Sequence, residues 1–216
     1  GNTLQNTLYA SGSSEGSSFY MSVGNQTTSG IVPNDTYDRN TFRVNASKKL
    51  GNLTLKLASN YIRDKQSVVG STIGDQDRTL YWFVLNTPAN IPLSQYSDWS
   101  NPEGYGYADN YYNAYYQNPY WAIGTNRVNS NSSRLTANIS ASWDISESTN
   151  FTTRLGVNTG NGGGKNWRAA QTYNEDLQPA HSAVSSFVTD YESSFITYTT
   201  DAILSTKFDI TKDIDV

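Results

Sequence analysis

The side chains able to do chemistry are few and widely spaced. His181 is the only histidine and there is no cysteine, so a thiolate nucleophile, a thiolate metal site and a disulfide framework are all ruled out. A Ser–His–Asp arrangement would have to be built on His181, and no nucleophile-elbow motif accompanies it. A metal ion would fall to carboxylates. Asp75 with Asp77, or Asp35 with Asp38, could help to hold Ca²⁺, but neither pair brings the rest of an EF-hand pattern. Glu175 and Asp176 are adjacent acids of the kind used in glycoside hydrolysis, although neighbouring carboxylates in a polar loop are ordinarily just solvated. The run Gly160-Asn161-Gly162-Gly163-Gly164 lacks the spacing of a phosphate loop, with no helix clearly following, and reads as the start of a flexible loop. No catalytic residue, metal ligand or cofactor is expected.

The aromatic residues are a stronger signal. Between residues 105 and 121 stand Tyr105, Tyr107, Tyr111, Tyr112, Tyr115, Tyr116, Tyr120 and Trp121, interleaved with Asn and Gly. Rigid rings beside amides suit contact with sugars, peptides or a protein partner. The same rings could equally pack a long loop onto itself or line a rim.

Composition narrows the class of protein. Only 36% of the 216 residues are hydrophobic, which would suit disorder, but 13% are aromatic and only 16% charged, and neither value suits a disordered chain. The formal charge of −4 and the scattered basic residues exclude nucleic acid as a partner. No stretch is apolar for long enough to form a transmembrane helix, and no signal peptide is visible at Gly1, as expected of an internal fragment of a longer exported chain.

The elements that must position these residues are strands. Leu135, Ala137, Ile139, Ala141, Trp143 and Ile145 alternate with Thr136, Asn138, Ser140, Ser142 and Asp144, which is the period of a strand with two different faces. The same alternation recurs along the chain and predicts seven strands at about 3–12, 18–27, 37–49, 53–64, 132–145, 150–160 and 190–210. A short helix is expected over Asp77–Leu85, closed by Asn86-Thr87-Pro88. A tight turn at Thr211–Asp213 would open a further strand at Ile214.

The connections alternate short and long. Gly51-Asn52 is a good hairpin pair, whereas 65–131 and 161–189 are long excursions. Tight turns at one end and long loops at the other describe an outer-membrane barrel. Lipid cannot satisfy backbone hydrogen bonds, so strands that cross it must pair on both sides and turn an apolar face outward. The expectation is all-β: an antiparallel transmembrane β-barrel segment with long extracellular loops, in contact with outer-membrane lipid, and with Tyr9, Tyr61 and Trp143 in the interfacial girdles. Seven strands do not close an even-numbered barrel, so residues 1–216 are expected to be part of one larger barrel domain. The competing reading is a secreted or surface carbohydrate-binding β-domain, whose apolar faces would form a core.

Three stretches add a resemblance. Gly30-Ile31-Val32-Pro33-Asn34-Asp35-Thr36-Tyr37-Asp38-Arg39, Leu85-Asn86-Thr87-Pro88-Ala89-Asn90-Ile91-Pro92 and Asn118-Pro119-Tyr120-Trp121 resemble, in order and spacing, the early barrel of the SusC/RagA-type TonB-dependent transporters of Bacteroidetes. The resemblance implies a 22-stranded barrel in the cell outer membrane, energised by TonB through a plug region that this chain does not contain. It also implies import of glycans or peptides together with a SusD-like surface lipoprotein acting as a lid. It implies no catalytic residues. The loop 65–131, with its tyrosines, is where contact with ligand or lid is expected.

Overall fold

The computed structural model describes residues 1–211 and 214–215. Seven strands form one antiparallel sheet in sequence order, each hydrogen-bonded to the next. They are β1 (Asn2–Ser14), β2 (Ser17–Ser29), β3 (Thr36–Leu50), β4 (Leu53–Val69), β5 (Asn126–Asp144), β6 (Thr149–Arg168) and β7 (Phe187–Thr206). Two short strands, β8 (Asp209–Thr211) and β9 (Ile214–Asp215), pair with each other. The turn expected at Thr211–Asp213 lies in part outside the described residues. Among the described residues no helix is long and apolar enough to cross a membrane.

The hairpins at one end are tight. Gly16 and Gly51 take positive φ at the β1–β2 and β3–β4 turns, a conformation that glycine adopts without a Cβ penalty. At the other end the connections are long, and they carry the helices α1 (Leu80–Leu85) and α2 (Pro119–Thr125).

The register aligns the alternation across the whole sheet. Leu8, Val23, Phe42, Tyr61, Leu135, Thr159 and Ile196 are successive partners from β1 to β7. Toward the tight turns, the row Leu57–Ile139–Leu155 and the row Leu53–Trp143–Phe151–Leu204 lie on the same face. Leu135 to Ile145 rises about 33 Å along the strand at ~3.3 Å per residue, which a barrel tilt of about 40° turns into a height of ~25 Å. One row above Leu135 the same face becomes polar on every strand: Asn6, Asn25, Asn40, Arg63, Ser133, Asn161 and Ser194. Among the described residues nothing covers the apolar band; Leu8 is 77% exposed, Ile139 54% and Leu204 65%.

Several boundaries differ from expectation. β5 begins at Asn126 rather than 132, and β6 runs to Arg168 rather than 160. The long connections therefore narrow to 70–125 and 169–186. The strands continue where apolar and polar residues no longer alternate, so the ladder outlasts the alternation that announces it. The glycine run is a correction: it lies inside β6, not in a loop. On the face opposite the apolar band, the Phe195 ring covers Gly160 and the Tyr191 ring covers Gly164, so bulk comes from the neighbouring strand. Tyr9 is also corrected. Its register places it on the polar face, where its ring stacks on Tyr20 at 6.3 Å. Tyr61 and Trp143 do lie on the apolar face, at the two margins of the band.

Candidate functional site

The packed interior of the molecule lies in the long connections. Val32, Ile73, Leu80, Phe83, Trp121, Ala122 and Ile123 are buried together, with Val69, Trp99, Tyr116 and Tyr120 against them. Two local signals build the helices that supply this cluster. Thr79 caps α1 by accepting from Trp82 N–H at 3.4 Å, so the helix begins at Leu80, later than the Asp77 expected; Asp77 itself has a φ of 48°. Asn118 caps α2 by accepting from Tyr120 N–H at 3.0 Å, and Pro119 occupies the first turn, where its missing N–H costs nothing. The Asn118 amide also donates to the Tyr96 and Gly106 carbonyls at 2.8 and 2.7 Å. The motif Asn118-Pro119-Tyr120-Trp121 thus starts a helix that runs directly into β5.

Three connections from different hairpins are locked together. Arg127, buried at the start of β5, pairs with Asp35 at 2.8 Å and donates to the Asn34 carbonyl at 2.6 Å. Asp35 also accepts from Val69 N–H at 2.9 Å. The loop 169–186 is clasped by Asp75, which faces His181 Nδ1 at 3.2 Å and accepts from Ser182 N–H at 2.8 Å and from Gln117 Nε2 at 3.0 Å. The Gln117 amide donates to the Tyr173 hydroxyl at 2.6 Å, and the Tyr173 ring stacks on His181 at 4.6 Å. Asp109 accepts from Asn174 N–H at 2.8 Å. Burial raises the Tyr173 phenol well above its ordinary value, helped by the negative charge of Asp75. Burial does the same to Tyr111, with Tyr112 adding to it.

These contacts account for the residues singled out by type. His181 and Asp75 serve the clasp, and Asp35 serves the Arg127 pair. Glu175 and Asp176 are exposed. Among the described residues no group of three or more histidines and carboxylates is placed to hold a metal.

The tyrosine-rich stretch divides in two. Tyr111 and Trp121 are buried, and Tyr107, Tyr112, Tyr116 and Tyr120 are half-buried. Tyr96, Tyr111 and Tyr112 make edge contacts with ring centroids 5.1, 5.9 and 4.8 Å apart. The cavity left among Tyr111, Tyr116, Trp121 and His181 is about 10 Å³, room for one water at most. Tyr105 and Tyr115 instead present their rings to solvent, 72% and 65% exposed. Tyr81, Trp82 and Leu85 on α1 are exposed as well, a surface absent from the sequence reading. The cue was available: six consecutive apolar residues on so short a helix cannot all face inward.

The chain superposes on solved structures of one assembly. It matches a RagAB peptide importer in its closed-closed state with a TM-score of 0.64 at 18% identity, over 97% of this chain and 22% of that one. A second RagAB peptide transporter structure matches with a TM-score of 0.65 at 16% identity, over 97% and 23%. The open-open state of the importer gives 0.57 at 17%, over 97% and 22%. The likeness is one of fold, an antiparallel stretch of β-barrel wall. The chain spans between a fifth and a quarter of the length of the chains it matches. No family model matches the sequence, and no curated protein does.

Proposed function

We propose that this chain forms part of the wall of an outer-membrane nutrient importer of the SusC-like, TonB-dependent kind, taking up oligosaccharides or peptides with a SusD-like surface lipoprotein as its lid. The observation that carries this reading is the bare apolar band, of bilayer height, on one face of a sheet whose other face is mainly polar. A soluble carbohydrate-binding domain would bury those side chains against a second layer. A contiguous exposed patch of this size is costly in water and suits lipid. The likeness to RagAB importers supports the transporter fold. The three motif stretches support the SusC/RagA affiliation and, with it, the lid and TonB as partners. Tyr105 and Tyr115 are the members of the tyrosine stretch best placed to meet ligand or lid.

The test is made on the protein extracted from membranes in mild detergent. Its gel mobility is compared with and without boiling, and co-purifying molecules are identified by mass spectrometry. A heat-dependent shift with a bound lipoprotein is the expected result, and a trapped glycan or peptide would name the substrate class. Recovery in the soluble fraction with no shift would leave the soluble binding domain in its place.

A further inference from the structure

The outward face does not end at the apolar band. β4, β5 and β6 continue beyond it, and over the next three rows their outward side chains are all polar apart from one glycine. Arg63 stands one row above Tyr61, Lys65 two rows above, and Lys165 on β6 three rows above Thr159. Asn129, Asn131 and Asn161 fill the positions among them, and all six are exposed. Gly163 lies between Asn131 and Glu192 in the register and contributes no side chain, which leaves a shallow depression of about 790 Å³ lined centrally by the three cations and at its margins by Asp38, Asp190 and Glu192. The acids of this face stand on the flanking strands, Asp38 on β3 and Asp190 and Glu192 on β7. Lys65 is the register partner of Asp38, and Lys165 of Asp190, yet among the described residues none of these cations closes a salt bridge. Three unpaired cations with amide neighbours, directly above a band of bilayer height, occupy the level of lipid headgroups.

We infer that this outward strip of β4–β6 is a docking surface for the phosphorylated sugar headgroup of an outer-leaflet glycolipid. The inference rests on the membrane-barrel reading above. The cations pair with phosphate, the asparagine amides hydrogen-bond sugar hydroxyls, and the acyl chains lie against the apolar band below. The flanking acids repel phosphate and confine the headgroup to the central strands. The occupant is the membrane's own lipid, not a soluble anion, because the strip is continuous with the lipid-facing surface.

The test uses the protein purified from outer membranes, stripped of lipid and titrated with bisphosphorylated lipid A by native mass spectrometry. Removing one cation near a membrane surface weakens binding about fivefold, so R63Q/K65Q/K165Q is expected to bind roughly a hundredfold more weakly, on the same scale. K56Q/R154Q, on the opposite face, is expected to bind like the parent. Dephosphorylated lipid A is expected to bind the parent as poorly as bisphosphorylated lipid A binds the triple variant. Equal binding of the two lipids, or an unchanged triple variant, overturns the proposal; so does full competition by inorganic phosphate, which would make the strip a free-anion site. If the triple variant fails to insert, K65E alone must lower lipid A affinity, and its failure to do so is equally decisive. Gel mobility with and without boiling is recorded on every sample. A protein that shifts but ignores lipid A loses the headgroup site and keeps the barrel, whereas a soluble protein without a shift loses both.

Discussion

Asp75 accepts hydrogen bonds from groups that arrive on different segments, and it is the residue on which the loop assembly most depends. Replacing it by alanine leaves His181, Ser182 N–H and the Gln117 amide facing a buried gap. Stranding the partners of a buried charged group costs about 3 kcal/mol, so D75A is expected to release loop 169–186 while leaving the sheet intact. Hydrogen exchange at Ser182 and across the Gln171–Val184 bridge measures this, and unchanged protection there would mean the clasp contributes nothing. Tyr111 and Tyr173 give the assembly a pH limit. Both phenols titrate above their ordinary value of 10.0 because burial penalises the charged form. A raised pKa means the folded loops hold protons that the unfolded chain gives up. Their contribution is therefore complete below pH 10 and declines as pH rises beyond it. Absorbance titration should reveal a late-ionising class of tyrosine that Tyr111→Phe and Tyr173→Phe each diminish. Type and spacing made His181 and the carboxylates visible but not their pairing, because Asp75 and His181 are 106 residues apart.

At the scale of elements, two local devices are predicted to matter. Asn118 both caps α2 and satisfies two carbonyls of the preceding turns. N118A is expected to cost about 2 kcal/mol, the upper end for a lost cap, with the added burden of buried carbonyls left unpaired. N118D keeps the capping oxygen but turns a carboxylate toward those carbonyls, so it should not rescue. Thermal melting of near-ultraviolet aromatic signals would report both, and an N118D variant as stable as the parent would show that the cap alone matters. In β6, a side chain on Gly160 would run into the Phe195 ring and the Ser133 carbonyl. G160V should therefore destabilise the β6–β7 pairing by about 1–3 kcal/mol, despite the strand preference of valine, and denaturant midpoints in detergent would show it. The alternating stretches of β5 and β6 were legible because one face is apolar there. Their polar extensions were not, since ladder hydrogen bonds leave no mark on side-chain type. For the same reason the glycines of β6 look like a loop until the rings of β7 are set over them.

At the scale of the whole molecule, the decisive feature is which side of the sheet meets lipid. Ile139 lies near the middle of the apolar band and Asn138 is its neighbour on the opposite face. An arginine at a barrel's lipid-facing midplane costs about 2–4 kcal/mol, whereas positions on the inner face tolerate it. I139R is expected to impair insertion into vesicles while N138R inserts like the parent, with the heat-dependent gel shift as the readout. Equal behaviour of the two would remove the distinction between faces on which the membrane reading stands. The sequence by itself determined the strands, their two faces and the alternation of tight turns with long connections. These rest on a period of two residues and on local turn chemistry, which operate within a few residues. Only the tertiary structure decided how far each strand continues beyond the apolar band, which tyrosines are buried and which exposed, and that Asp35, Asp75 and Asp109 tie separate loops together. Those outcomes depend on partners brought together from distant parts of the chain, and nothing in the local pattern of residues encodes such meetings.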